Sequence, residues 1–289
     1  MTHAALIGDP VEHSVAPVLH TYLAGLSGTS FQYLKIRISR KDLGPSVAAL
    51  RLLGFAGCNV TLPHKEDVGR HIDRLEEPAL RCGAVNTIVF TPNESVGTNT
   101  DWIGIEKSLV FFGHPERAAG ARAVILGSGG AARAAIYALQ QLGYTKITVL
   151  YLEPPDAKTA RLLGQSERLG IETRPYADLE RAVEAGDLVC NMTSAGMAGM
   201  SRSPFDLSRL DGIDLAGKYF IDAVFNPVRT PLLQYFEQRG AVTVDGVWMT
   251  IFQGIPAFES WNSVKVRISK EQLYELHSVL VGEIDSHKK

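Results

Sequence analysis

The chain of 289 residues is poor in cysteine, lacks long apolar runs and carries no excess of one charge. It has three cysteines, Cys58, Cys82 and Cys190, and no C-x-x-C pair. An odd count without paired spacing predicts neither a disulfide framework nor a metal site. No window approaches the roughly 18 consecutive apolar residues of a membrane helix, and the first residues have no basic segment followed by an apolar one. We therefore expect a cytoplasmic protein with no membrane partner.

The charges nearly cancel, since 29 basic and 31 acidic residues give a formal net charge of -2. Such a balance gives no electrostatic reason to expect a nucleic-acid partner. The 45% hydrophobic and 21% charged residues are values of folded globular proteins. At this length we expect two domains, a small molecule as partner, and a monomer or a homodimer.

The first hundred residues alternate short apolar runs with helical patterns, which predicts parallel strands joined by crossover helices. The predicted strands are Ala4–Ile7, Phe31–Ile36, Gly57–Val60 and Thr87–Phe90. The predicted helices are Pro17–Leu26, Lys41–Leu53 and one that starts at Asp101 as its N-cap and runs to about Phe112. The segment Thr91–Thr98 has the composition of a loop.

A strand, a glycine-rich turn and a helix follow one another from Arg122 to Leu142, and a second strand covers Lys146–Leu152. This order is typical of a dinucleotide-binding βαβ unit, because glycines let backbone N–H groups approach a pyrophosphate at a helix N-terminus. The turn consists of Gly127, Ser128, Gly129, Gly130 and Ala131. The alternative is a turn that serves only tight packing, and the flanking strand and helix favour nucleotide binding.

The overall pattern predicts an α/β protein with an N-terminal α/β substrate domain, a Rossmann-like dinucleotide-binding domain and a cleft between them. Residues 104–248 are expected to form the dinucleotide domain, and residues 1–103 with 249–289 the substrate domain. The later predicted elements are strands Leu188–Asn191, Tyr219–Ala223 and Ala241–Val244 and helices Thr250–Trp261 and Lys270–Val281.

Three polar clusters interrupt the N-terminal pattern, each beside a predicted strand or helix start: His13-Ser14, Asn59 to Lys65, and Asn86-Thr87 with Asn99 to Asp101. Hydroxyls, amides, an ammonium and a carboxylate together suit a polyhydroxylated substrate that undergoes proton transfer. Lys65 beside Asp101 would form a proton relay. The alternative is that Lys65 is a solvated surface lysine and Asp101 only a helix cap.

Several motifs, in order along nearly the whole chain, resemble the shikimate dehydrogenase family. They are Gly8 to Ser14 with Pro17 and His20, Asn59-Val60-Thr61 with Pro63 and Lys65, Gly83 to Thr87, Gly97 to Asp101 with Gly104, Gly127 to Ala132, Asn191 to Met197, Asp222 to Pro227 with Thr230 to Leu233, and Gly246, Met249, Gln253, Ala257-Phe258 and Trp261.

The resemblance implies a reversible, NAD(P)-dependent reduction of 3-dehydroshikimate to shikimate, within the shikimate pathway of aromatic amino acid biosynthesis. It implies that Lys65 and Asp101 form the catalytic pair. The positions implied to hold the substrate are Ser14, Thr61, Asn86 and Gln253. Beyond the glycine turn, the positions implied to line the cofactor are Asn191 and Thr193 near its ribose, and Met197, Gly246 and Met249 near its nicotinamide.

Two departures from the family pattern remove hydroxyls expected near the substrate carboxylate. Ala16 stands where the family usually has serine, and Phe225 where it usually has tyrosine. Losing a donor to a buried anion costs about 1–3 kcal/mol unless another group replaces it. The alternatives are compensation by water or His13, or a modified ring acid such as quinate or an aminoshikimate.

A third departure lies at the end of the second dinucleotide strand. NADP-using members of the family typically have an arginine there, whereas this chain has Glu153, about twenty residues beyond the glycine turn. A carboxylate binds an unphosphorylated ribose and repels a 2′-phosphate, so NAD is the predicted cofactor and NADP the alternative. Lys158 and Arg161 on the following helix are the groups able to rescue NADP binding.

A different class of function is a ligand-sensing module, in which the same fold binds a ring acid or nucleotide without turnover. Retention of both Lys65 and Asp101 favours the enzyme, because a sensor needs no proton relay.

Overall fold

The computed structural model describes residues 1–198 and 205–286. The chain divides into two compact units, residues 1–104 with 250–289 and residues 105–249. Among the described residues, no helix has the length and apolar character needed to cross a membrane.

The first unit contains a mixed sheet of six strands in the order β2-β1-β3-β5-β6-β4. The strands are β1 (Thr2–Gly8), β2 (Phe31–Arg37), β3 (Gly57–Val60), β4 (Arg74–Leu75), β5 (Thr87–Phe90) and β6 (Ser95–Thr98). β1 pairs in parallel with β2 and β3, whereas β5 is antiparallel to both β3 and β6. The predicted all-parallel arrangement is therefore wrong for this half of the sheet.

A tight turn explains why β6 is antiparallel to β5, and the segment predicted as a loop contains β6. The Thr91 amide donates to the Glu94 carbonyl at 2.9 Å, and the Glu94 amide donates to the Thr91 hydroxyl at 3.0 Å. So short a connection can join only antiparallel neighbours. The four residues of β6 were too few to show a strand period.

The helices of this part of the chain are α1 (Ala16–Ser27), α2 (Leu43–Leu52), α3 (Glu77–Cys82) and α4 (Asp101–Phe111). β1 is apolar on both faces, and from Ala4 to Gly8 it is buried, as expected for a strand covered on two sides. One face packs with α2 through Val47 and Leu50, and the other packs with Tyr33 and Trp261.

The second unit contains six parallel strands in the order β12-β11-β10-β7-β8-β9. The strands are β7 (Arg122–Leu126), β8 (Lys146–Tyr151), β9 (Glu172–Pro175), β10 (Leu188–Asn191), β11 (Tyr219–Asp222) and β12 (Val242–Val244). The helices are α5 (Gly130–Gln141), α6 (Ala157–Leu163), α7 (Ser166–Leu169), α8 (Leu179–Ala185) and α9 (Pro231–Gln238). The order is that of a doubly wound Rossmann sheet, with its switch point between β7 and β10, where ligands bind beyond the carboxyl ends of the strands.

Two long helices complete the chain, α10 (Gly246–Asn262) and α11 (Lys270–Ser286). α10 begins four residues before its predicted start, and α11 continues past its predicted end at Val281. Residues from Thr250 onward belong to the first unit, to which they contribute Ala257 and Trp261 as core residues.

Candidate active site

Lys65 and Asp101 form an ion pair in the first unit. Lys65 lies in the turn after β3, and its backbone carbonyl accepts a hydrogen bond from Val85 at 2.8 Å. Its Nζ lies 2.7 Å from Oδ2 of Asp101, and the two side chains are 27% and 9% exposed. The geometry excludes the interpretation of Asp101 as only a helix cap, because its carboxylate faces the ammonium. Asn99 Oδ1 accepts from the Asp101 amide instead, at 3.0 Å.

Asn86, which precedes β5, occupies the other side of the Asp101 carboxylate. Its Nδ2 donates to Asp101 Oδ1 at 2.8 Å, and its Oδ1 accepts from the Thr100 amide at 2.7 Å. Gln253 on α10 reaches the same cluster, with its Oε1 3.3 Å from both Asn86 Nδ2 and Thr100 Oγ1. Four expected site residues, two amides and two charged groups, thus meet in one hydrogen-bonded cluster.

Ser14 and Thr61 lie on loops that follow β1 and β3. The Ser14 hydroxyl accepts from the Ala16 amide at 3.2 Å, at the first turn of α1. The Thr61 amide donates to the Ile7 carbonyl at 2.9 Å. A Cβ on Gly8 would lie 2.3 Å from Thr61 Cγ2, so the approach of these loops requires glycine. Within the part of the chain that the structure describes, neither hydroxyl bonds Lys65, Asp101, Asn86 or Gln253.

Ala16 and Phe225 belong to different units. Ala16 is the half-buried first residue of α1, and its methyl group offers no hydrogen bond where a serine would. Phe225 is half-buried and follows β11 in the second unit. Both positions therefore lack the hydroxyl, as the sequence indicates.

The glycine turn after β7 leaves open space in front of a helix N-terminus. Gly127 has φ +100, and a Cβ there would lie 2.7 Å from Thr193 Cγ2. Ideal Cβ atoms on Gly129 and Gly130 meet nothing within 4 Å, so the start of α5 faces open space. Helix α5 has no side-chain cap, which leaves its first amides available to an anion. Ser128 beside them bonds Thr159 at 2.7 Å, and Ala131 follows in the first turn.

The remaining expected cofactor residues are distributed along the same unit. Asn191 is fully buried. Its side-chain Nδ2 donates to Asp222 Oδ1 at 2.8 Å, and its Oδ1 accepts from the Thr193 hydroxyl at 2.6 Å. Its side chain therefore positions Thr193 and the strand end rather than facing solvent. Met197 is half-buried, and Met249 is buried on α10. At Gly246 a Cβ would lie 2.5 Å from the Val224 carbonyl, so glycine serves backbone packing there.

Glu153 is exposed in the turn that follows β8. Three residues later, Asp156 caps α6 by accepting from the Thr159 amide at 2.7 Å. This backbone hydrogen bond holds the pKa of Asp156 below its usual value. Lys158 lies in the first turn of α6 and Arg161 in the second.

Asp222 is a buried carboxylate, which the sequence indicated only as the first residue of a family motif. It is fully buried at the end of β11 and accepts from Thr230 at 2.6 Å, Asn191 at 2.8 Å and the Val224 amide at 3.0 Å. Burial raises its pKa from 3.8 to about 6, against the lowering effect of these donors. The signal available in the sequence was an acidic residue at the end of an apolar strand.

We expect Asp222→Asn to change how stability depends on pH. Because its pKa is raised in the folded state, Asp222 stays protonated to a higher pH in the folded protein than in the unfolded chain. The free energy of unfolding of the wild type should therefore fall as pH rises from 3.8 through about 6. Asparagine cannot ionise, so the variant should gain up to about 3 kcal/mol relative to wild type over this interval. Urea unfolding of both proteins at several pH values measures the difference. A constant difference would mean that Asp222 stays ionised.

Known proteins are similar to this chain in sequence and in fold. The family model described as shikimate dehydrogenase substrate binding domain matches residues 6–88. A protein named shikimate dehydrogenase (NADP(+)) from Acidiphilium cryptum is 39% identical over 261 residues, which cover 90% of each chain. The chain belongs to the shikimate dehydrogenase family.

Solved structures of similar proteins extend this result to the whole fold. Shikimate 5-dehydrogenase from Thermus thermophilus in complex with NADP(H) and shikimate has a TM-score of 0.83 and 28% identity, over 97% of this chain and 100% of that one. Quinate dehydrogenase from Corynebacterium glutamicum in complex with NAD has a TM-score of 0.82 and 27% identity, over 97% and 99%.

Family membership confirms the predicted α/β fold with its Rossmann-like part, and the prediction of a shikimate dehydrogenase-like oxidoreductase. The cofactor prediction is confirmed as far as a nicotinamide dinucleotide. In the choice between the two dinucleotides, the relatives favour NADP over the NAD predicted from Glu153.

Proposed function

We propose that Lys65 and Asp101 carry the proton transfer in a reversible interconversion of a ring ketone and its alcohol. The observation that carries the proposal is the 2.7 Å ion pair between them, with the Asn86 amide on the second carboxylate oxygen. An ammonium held by a buried carboxylate is a donor-only group at a fixed position, as a general acid requires.

The dinucleotide, when bound, supplies the hydride for reduction of the ketone and accepts it in the reverse direction. The chain's own part in reduction is to deliver one proton from Lys65 Nζ to the ketone oxygen, which leaves Nζ as a neutral amine. Its 27% exposure lets water return that proton. In the oxidising direction the amine takes the proton from the alcohol. Asp101 holds the ammonium in place and stabilises its charge.

In the proposed function, each of the two units would bind a different molecule. The first unit, residues 1–104 with 250–289, would bind the ring acid through Ser14, Thr61, Asn86 and Gln253. The second, residues 105–249, would bind the dinucleotide, with the phosphates on the α5 amides beside Gly129 and Gly130. The open space above these glycines and the uncapped start of α5 support this placement.

The proposed substrates are 3-dehydroshikimate and shikimate, with quinate as the second candidate. A specific observation favours quinate, because Ala16 replaces a hydroxyl expected near the carboxylate with a methyl group. Quinate carries an extra hydroxyl on the carbon that bears its carboxylate. Quinate can therefore supply a polar group near Ala16, where the protein lacks a hydroxyl. In addition, a similar protein is named a quinate dehydrogenase.

We also propose that Glu153 shifts the cofactor preference of this chain toward NAD, in contrast to relatives named for NADP(+). Glu153 is exposed at the end of β8, where an acidic side chain binds an unphosphorylated ribose. A 2′-phosphate at the same place would meet a like charge. Lys158 and Arg161 lie on α6, after the cap, and supply the opposing attraction.

The test is a cofactor-linked absorbance assay with shikimate, quinate and an aminoshikimate, each with NAD and NADP. We expect turnover of shikimate or quinate, and an NAD:NADP ratio of kcat/KM above one. Glu153→Gln should lower that ratio by about five- to tenfold, because it removes the charge that repels the phosphate. The matched control is Glu167→Gln, another exposed carboxylate of the same unit.

Each outcome bears on a different part of the proposal. A wild-type preference for NADP would contradict the assignment of Glu153, as would an unchanged ratio in Glu153→Gln. Turnover of none of the three acids, together with measurable binding of one of them, would favour a sensing module over an enzyme.

A further inference from the structure

A chain of hydrogen bonds runs through the core of the first unit from β2 to Asp101. It begins at Tyr33 on β2, passes through Asn59 on β3 and Thr87 on β5, and ends at Asn86 beside Asp101. Tyr33, Asn59 and Thr87 are all buried. Asn59 and Thr87 belong to the polar clusters of the sequence, but none of the three is among the positions that the family resemblance implies to hold the substrate or the dinucleotide.

The orientation of the Asn59 amide is fixed by its neighbours. Its Nδ2 lies 3.2 Å from the Asn86 backbone carbonyl, which can only accept, so the nitrogen must face that side. Its Oδ1 then accepts from the Tyr33 hydroxyl at 2.7 Å and from His20 Nε2 at 3.4 Å. Burial raises the pKa of Tyr33 and lowers the pKa of His20 to about 3, so both remain neutral donors at ordinary pH.

The position of each further proton follows from this orientation. Asn59 Nδ2 also donates to Thr87 Oγ1 at 3.1 Å, which leaves the single Thr87 proton free to point elsewhere. It points to Asn86 Oδ1, 3.0 Å away. Because that oxygen also accepts from the Thr100 amide, Asn86 Nδ2 is directed at Asp101 Oδ1. Asp101 Oδ2 is then the oxygen that faces Lys65.

We propose that Tyr33, Asn59 and Thr87 are positioning residues for the reaction. They act through Asn86, whose amide they help to hold with its nitrogen toward Asp101, and so they determine which carboxylate oxygen holds Lys65. The inference rests on the proposed function of the Lys65–Asp101 pair. Thr100 Oγ1 lies near the end of this chain, 3.3 Å from Thr87 Oγ1 and 3.0 Å from Asn86 Nδ2. Linked hydrogen bonds orient their last member more firmly than a single contact does.

The test removes the middle of the chain with Thr87→Val and restores it with Thr87→Ser. We expect kcat to fall on the order of fivefold in Thr87→Val with KM changed less than about twofold, because the Lys65–Asp101 pair is misplaced while the proposed substrate contacts of Ser14, Thr61 and Gln253 stay. Thr87→Ser keeps the hydroxyl and should keep at least half of the wild-type kcat. A role in packing alone would affect serine, the smaller side chain, more than valine.

A second variant, Tyr33→Phe, tests whether the effects belong to one chain. If they do, the double variant Tyr33→Phe with Thr87→Val should be no slower than Thr87→Val alone, whereas independent effects would multiply. The matched control is Tyr144→Phe in the second unit. Tyr144 is buried, as Tyr33 is, and its hydroxyl lies 2.7 Å from His114 Nε2. It should lose stability and keep kcat.

The outcomes separate this inference from the function on which it depends. An unchanged kcat in Thr87→Val, or multiplied losses in the double variant, would overturn the positioning role. If Lys65→Ala kept wild-type turnover, the proposed catalytic pair itself would be wrong. Thermal unfolding of each variant shows whether a loss of kcat comes from unfolded protein.

Discussion

Replacement of Lys65 by alanine should lower kcat by about a thousandfold, because the variant has no group to deliver the proton to the ketone oxygen. The affinity for shikimate should fall less than about tenfold, since one of several polar contacts is lost. Steady-state assays give kcat, and titration calorimetry with shikimate gives the affinity. The size of the expected loss follows from the position of Nζ, which is held 2.7 Å from a carboxylate that is 9% exposed.

Two further variants separate the proton from the charge. Lys65→Arg keeps a cation beside Asp101 but does not release a proton near neutral pH, so it should be nearly as slow as Lys65→Ala. Lys265→Ala removes another lysine of the first unit, one that pairs with Glu259 at 2.6 Å on the surface, and should leave kcat unchanged. Substantial activity in Lys65→Arg would show that charge alone suffices and that the proton comes from another group.

The largest loss of stability is expected from Gly57→Ala. Gly57 is buried in β3, and a Cβ there would lie 2.0 Å from the Ile88 carbonyl oxygen and 2.3 Å from Trp261 Nε1. The same two groups form a hydrogen bond of 2.9 Å that joins α10 to the sheet. The methyl group must displace backbone and indole together, so the free energy of unfolding should fall by about 3 kcal/mol or more.

Thermal unfolding should show a midpoint lower by roughly 6–12 °C in Gly57→Ala. The control is Gly25→Ala in α1, where a Cβ meets nothing within 4 Å. That substitution should stabilise the helix by up to about 1 kcal/mol, because alanine has the higher helix propensity. Equal midpoints for Gly57→Ala and wild type would mean that α10 moves away from β3 without loss.

The sequence predicted the strands that are continuous apolar runs and the order of elements around the glycine turn, because these signals are local. It did not predict the antiparallel half of the first sheet, since β6 has only four residues, including Gly97. It also missed β9 and the short helices α7 and α8, and it gave no bounds for the helix after β8 that carries Lys158 and Arg161. β9 pairs with β8, and α7 and α8 are only four and seven residues long, too short to show a helical period.

Site prediction shows the same division between local and distant information. The pairing of Lys65 with Asp101 was suggested by residue chemistry and by family resemblance, but the part played by the Asn86 amide required distances. The buried side chain of Asn191 could not be distinguished from an exposed one by its motif. Asp222 and the Tyr33–Asn59–Thr87 chain depend on contacts between separate strands, which no sequence spacing encodes.

The first unit is built from two stretches of chain, and this has a consequence for biosynthesis. A ribosome completes residues 105–249 before it makes the residues that finish the unit begun at the N-terminus. A nascent chain that ends before Thr250 already holds Lys65, Asn86 and Asp101, yet it lacks Gln253 and the indole that bonds Ile88. The first unit therefore completes its folding after the second unit is able to fold. Until then, the face of the β3–β5 pair that Trp261 contacts stays uncovered.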